Sequence, residues 1–177
     1  MFSKKIEELL NNQVNKEFYS AYLYLSFANF YVEHGLSGFA NWYQIQAQEE
    51  RDHALLFVKY MQDNGIKVTL KAIDQPNIVL NDNMDALKAG LEHEKYVTDL
   101  IHKIYAAADE EKDFRTKQFL DWFVKEQGEE ETNAGELIKK MELFGADSRG
   151  LYLLDQELGN RTYAPPSLVL ELAMNGE

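Results

Sequence analysis

Apolar residues recur every three or four positions along four long stretches of the chain, the spacing that gathers them on one face of an α-helix. The first stretch runs from about Ser3 to Glu33, with Ile6, Leu10, Val14, Ala21, Tyr24 and Ala28 in its stripe, and stops at the breaker HGLSG. The second runs from about Gly38 to Asn64 and closes on Asn64-Gly65, a C-terminal helix signal. The third opens near Asn81, carries Leu87, Leu91, Val97, Ile101 and Ile104, and ends near Glu111. The fourth spans about Asp113 to Phe144-Gly145, with Leu120, Phe123, Ala134, Leu137, Met141 and Phe144 on its apolar face. A short fifth helix is predicted over about 147–158, with Leu151, Leu154 and Leu158 as its edge, and residues 159–177 read as an irregular tail. Prolines occur only at Pro76, Pro165 and Pro166, so nothing breaks the four long helices from within.

The connections set the topology. Short turns join the first helix to the second and the third to the fourth, which makes each pair an antiparallel hairpin. Between the pairs lies a long link, Gly65 to Leu80. An extended link of that length reaches roughly 50 Å, and a helix as long as the second is about 40 Å. The link can therefore return along the whole bundle and start the third helix from the far end. The expected fold is all-α, a four-helix bundle over about 3–145 with one long crossover and a short C-terminal helix.

Composition narrows the chemistry. At 177 residues the chain fits a single domain, 1–177, with a core of its own. Cysteine is absent, so a bound metal must be held by oxygen and nitrogen. The net charge of −12 argues against nucleic-acid and anionic-membrane partners, which call for basic patches, and favours cations. MFSKKIEELL lacks the apolar run of a signal peptide, and no stretch is long enough to span a bilayer. A cytoplasmic location is the expectation.

Polar residues interrupt each apolar stripe at one level. Glu17 falls among Leu10, Val14 and Tyr24; Glu50 and His53 fall among Tyr43, Gln46 and Phe57. In the second hairpin, Glu94 falls among Leu91, Val97 and Ile101, and Gln127 and Glu130 fall among Leu120, Phe123 and Ala134. Adding 77 to positions 17, 50 and 53 gives 94, 127 and 130, so the two hairpins repeat the same arrangement. A single Glu-x-x-His is a weak signal; the constellation of polar breaks repeated on both hairpins is a strong one. Counted from each turn at ~1.5 Å per residue, the six side chains lie at similar heights.

Four buried carboxylates without counter-ions would each cost several kcal/mol. No Lys or Arg occupies these stripes. Two divalent cations balance Glu17, Glu50, Glu94 and Glu130, with His53 as a neutral ligand and Gln127 as a hydrogen-bonding neighbour. Oxygen-rich donors with one imidazole suit iron or manganese. Tyr24 reads either as a hydrogen-bond partner of the same cluster or as core, and Trp122 reads as packing.

With these motifs in view, the chain resembles the bacterial non-haem ferritins over nearly its whole length: Glu17, Tyr24, Glu49-Glu50-x-x-His53, Glu94 and Glu126-Gln127-x-x-Glu130. The resemblance implies a ferritin-like bundle. It also implies a di-iron site, with the first iron on Glu17, Glu50 and His53 and a second on Glu94 and Glu130, bridged by Glu50. It further implies a third iron position at Glu49, Glu126, Glu129 and Glu130. The implied activity is oxidation of Fe(II) by O₂ or hydrogen peroxide, with Fe(III) stored as hydrated oxide inside a cage of 24 subunits. Leu151, Leu154 and Leu158 would line four-fold contacts of that cage, and the crossover its two-fold contacts. Bacterioferritins, by contrast, carry a second Glu-x-x-His and a haem-ligating methionine; here the residues are Gln127, Glu130 and Asp52, so haem is not expected. Gly128 interrupts the implied third-site residues. Another di-metal carboxylate oxidase or peroxidase, rubrerythrin-like or manganese-catalase-like, is the alternative on the same bundle, although the absence of cysteine excludes a rubredoxin-like module.

Overall fold

The computed structural model describes residues 2–169, and the last part of the predicted tail lies outside the described residues. Among the described residues the long elements are α1 (Lys4–Glu33), α2 (Ser37–Asp63), α3 (Asn83–Glu110) and α4 (Phe114–Phe144), followed by the shorter α5 (Ser148–Gly159). Their bounds agree with the hydrophobic pattern to within two residues. A further helical turn begins at Ser167, within the tail read as irregular.

Local chemistry explains where most of the helices begin. Ser3 Oγ accepts from the Ile6 amide at 3.2 Å, and Asp82 Oδ1 accepts from Met84 and Asp85 at 2.8 and 3.0 Å. Asp113 and Asp147 cap α4 and α5 in the same way. Each cap satisfies amides that the first turn leaves without partners. Helix α2 is different, because Leu36 stands at its cap and offers no side-chain acceptor. Asp155 of α5 supplies one instead: its Oδ1 accepts from Gly38 at 2.7 Å and Phe39 at 3.1 Å. Gly38 permits this approach, since a Cβ there would sit 1.6 Å from the Asp155 carbonyl oxygen.

This contact fixes α5 on its own subunit. Leu154 and Leu158 are buried in the core beside α1 and α2, and Leu151 packs against it half-buried. The leucine edge expected to line contacts between subunits is thus used largely within the subunit, because Asp155 shares its face and draws it onto α2. The large apolar side chains that α5 leaves exposed are Tyr152 and Leu153. Phe144, expected in the α4 stripe, is also exposed; it is the last residue of the helix, where the chain turns toward α5.

The crossover, 65–82, runs without regular secondary structure along α1. Asn11 donates to the Lys67 carbonyl at 3.0 Å and accepts from the Thr69 amide at 2.7 Å; Asn15 donates to the Ala72 carbonyl at 2.9 Å. Two asparagines one helical turn apart therefore pin the link to the helix face and bring α3 in from the far end. Inside the bundle the apolar core divides in two. One part surrounds Phe27, Tyr31 and Phe39; the other surrounds Leu10, Phe57, Ile101 and Phe123. A polar layer separates them.

Candidate metal centre

The six side chains that break the four stripes meet in that layer. Glu17 comes from α1, Glu50 and His53 from α2, Glu94 from α3, and Gln127 and Glu130 from α4. All six are buried, Glu17, Glu50 and His53 to 1% exposure. Glu17, Glu50 and His53 each present a ligand atom within 4.8 Å of the other two. The His53 ring is held edge-on by Trp122 and Phe123, at centroid distances of 5.5 and 5.8 Å. Trp122 therefore packs as expected, and its Nε1 also donates to Ser167 at 2.8 Å.

The hydrogen bonds around the carboxylates are selective. Gln13 Nε2 donates to Glu17 Oε1 at 2.7 Å, and Gln46 Nε2 to Glu130 Oε2 at 2.9 Å. Gln127 Nε2 donates to Glu94 Oε2 at 3.1 Å, and Tyr24 donates its phenolic hydrogen to Glu94 Oε1. Glu50 receives no donor at all. Both its oxygens, Glu17 Oε2 and His53 Nδ1 are buried with no hydrogen-bond partner. Buried polar atoms normally have partners, because leaving one unsatisfied costs about 1–3 kcal/mol. Four such atoms on three adjacent side chains form a group that could hold a cation.

Electrostatics agree. Burial, reinforced by the neighbouring Glu50, holds the Glu17 carboxyl well above the usual carboxylate range. Burial and the charges of Glu94 and Glu130 do the same to Glu50. Glu94 is pushed up to about 8 by burial and by Glu130, against the donors Tyr24 and Gln127. Burial thus disfavours the charged form of all three acids, a penalty that positive charge at the site would offset. Beside Glu94 and Glu130, and bounded also by Tyr24, Tyr43 and Gln46, lies a cavity of about 20 Å³, room for about one water-sized molecule.

The remaining residues predicted from the sequence lie at the margin. Glu49 and Glu126 are half-buried, close enough for the charge of Glu130 to act on both. Glu49 accepts from Arg161 at 2.6 Å, and Glu129, exposed, pairs with Lys125 at 3.3 Å. Asp52 binds Arg51 and the Tyr163 hydroxyl. Sequence reasoning missed two donors: Gln13, a glutamine four residues before the stripe glutamate it binds, and Gln46, which reaches across to Glu130 on α4. It missed Arg161 as well, which lies beyond any periodic segment.

The model of the ferritin-like domain matches residues 7–144. The chain belongs to the ferritin family. Its relatives include a bacterial non-heme ferritin of Staphylococcus aureus, 36% identical and covering 92% of this chain and 98% of that protein. A probable bacterial non-heme ferritin-like protein of Haemophilus influenzae is 34% identical over 90% of this chain and 97% of its own length. Among solved structures, an open pore ferritin from Archaeoglobus fulgidus matches with a TM-score of 0.89 at 42% identity, over 92% of this chain and all of that one. A closed form of that ferritin made by site-directed mutagenesis matches with a TM-score of 0.90 at 41% identity, over 93% and 100%. This ferritin shares its fold with those neighbours, and family membership supports a role in iron storage. Among the described residues, no helix is long and apolar enough to cross a membrane.

Proposed function

We propose that this ferritin is a ferroxidase that takes up pairs of ferrous ions, oxidises them and stores the ferric product inside a shell of its own copies. The observation that carries this reading is the set of unpartnered buried atoms on Glu17, Glu50 and His53, facing the donor-supported carboxylates Glu94 and Glu130. Glu17, Glu50 and His53 hold one substrate ion; Glu94 and Glu130 hold the other; Glu50, with both oxygens free, bridges them. Gln127 and Tyr24 orient Glu94, and Gln13 orients Glu17.

Hard anionic oxygens favour Fe(III) over Fe(II), so the donor set itself promotes loss of an electron from each ion. With two ions adjacent, one O₂ accepts both electrons and two protons and leaves as hydrogen peroxide; hydrogen peroxide accepting the same pair gives water. The two protons come from solvent, and the entering ferrous charge offsets the burial that disfavours the charged form of Glu17 and Glu50. Gln127, a neutral residue where a further anionic or imidazole ligand could stand, keeps the second position weak enough for product to leave.

Storage requires assembly into a closed shell, and the chain carries surfaces suited to it. The crossover exposes Leu70 and Val79, and the α4–α5 end exposes Leu143, Tyr152 and Leu153, apolar groups whose burial against further copies favours association. Aerobic addition of Fe(II), followed by sedimentation, tests the reading. We expect Fe(III) formation faster than in protein-free buffer, and iron that travels with a particle of about two dozen chains. Oxidation no faster than in buffer, or a small particle that retains no iron, refutes it.

A further inference from the structure

Beyond the last core helix, the chain makes one more approach to the metal layer. Residues 160–167 pass back over α2 as a strap. Asn41 of α2 donates to the carbonyls of Leu158 and Arg161, at 3.2 and 3.0 Å, and so fixes where the strap begins. Tyr163 then bonds Asp52, and Ser167 accepts from Trp122. Between these anchors the Arg161 side chain turns inward. Its Nη2 lies 2.6 Å from Glu49 Oε2, its Nη1 donates to the Trp42 carbonyl at 3.4 Å, and its guanidinium stacks 4.2 Å from the Trp42 ring centroid.

Glu49 is the acid that would anchor a third cation beside Glu126 and Glu130. A half-buried carboxylate near other acids needs a positive charge, and Arg161 delivers one on a fixed tether. Its planar fork, stacked on an indole, loses little freedom in this position. A divalent ion bound through Glu49 Oε2 competes with a guanidinium that the Trp42 carbonyl and ring also hold in place. Glu129, the outermost acid of the set, is exposed and paired with Lys125, so it offers no compensating pull.

We infer that Arg161 is a built-in cation that occupies the third metal position, limiting the site to two metal ions per chain. This rests on the di-metal reading of Glu17, Glu50, His53, Glu94 and Glu130. Arg161 is here a specificity-determining residue that acts through Glu49, and it touches no substrate ion.

The test is zinc binding to metal-stripped protein, a readout independent of oxidation, with bound ions located by anomalous diffraction. The unaltered chain takes two zinc ions in the polar layer and none on Glu49. Arg161→Gln adds a third, against Glu49, while Arg161→Lys, which keeps the charge, stays at two. Zinc on Glu49 in the unaltered chain overturns the inference while leaving the di-metal reading in place, and so does an Arg161→Gln protein that still binds only two. A third ion in the Arg161→Lys protein as well shows that packing, not charge, excludes it, and overturns the inference too. An unaltered chain that binds no zinc among the four helices overturns both readings.

Discussion

Burial of so many acids in one layer makes the stability of the metal-free protein depend on pH in an unusual direction. Glu94 titrates near 8 in the folded chain and near 4.5 when exposed, because burial and Glu130 disfavour its charged form. Between those values the folded state holds a proton that the unfolded chain has released. Stability therefore falls as pH rises, by about 1.4 kcal/mol per unit for each such group. Glu17 and Glu50 act in the same direction. His93 acts the other way, since burial lowers it to about 4, but its contribution is complete above its ordinary value of about 6.5. The window from pH 6.5 to 8 thus isolates the carboxylates. Over it Glu94 alone should remove about 2 kcal/mol, which at a slope of about 4 kcal/mol/M lowers the guanidinium midpoint by about 0.5 M. The assay is denaturation of chelator-treated protein at both pH values and matched protein concentration, because assembly adds stability by mass action. Zinc should restore more stability at pH 8 than at pH 6.5, and Glu94→Gln should flatten the metal-free trend. A metal-free midpoint that rises with pH across this window would refute the reasoning.

Asp155→Ala leaves the amides of Gly38 and Phe39 without their acceptor, and we expect a loss of about 2 kcal/mol, with faster amide exchange at the start of α2 and through α5. Gln127→Glu removes the donor to Glu94 and adds a negative charge; repeated additions of Fe(II) should show a normal first turnover and slower later ones. Lys112 adopts a left-handed conformation with φ of 55° in the α3–α4 turn, so Lys112→Gly should stabilise the fold by about 1 kcal/mol in the same denaturation assay.

The bundle was legible because its helices are long and amphipathic and its crossover is too long to be a turn. The polar layer was legible for a different reason: the offset of 77 repeats the same polar breaks on both hairpins, and the heights follow from helical rise. What escaped was chemistry outside the repeat. Position 13 plus the offset is Gly90 and position 46 plus the offset is Phe123, so the donors Gln13 and Gln46 have no counterparts. The use of α5 was misassigned because leucine spacing identifies an apolar edge without saying which surface covers it. Asp155, between Leu154 and Leu158, held the answer, since a carboxylate on an apolar edge needs donors, and α2 lacks a cap of its own. Arg161 reaches Glu49 only through the tertiary path of the strap, which no local pattern encodes.

The most direct test of the whole account is a crystal of the metal-stripped protein soaked anaerobically in a ferrous salt and measured at the iron absorption edge. The account predicts two anomalous peaks in the polar layer, one among Glu17, Glu50 and His53 and one against Glu94 and Glu130, with Glu50 touching both. Glutamates turned toward bulk water, with no iron between the four helices, would contradict it.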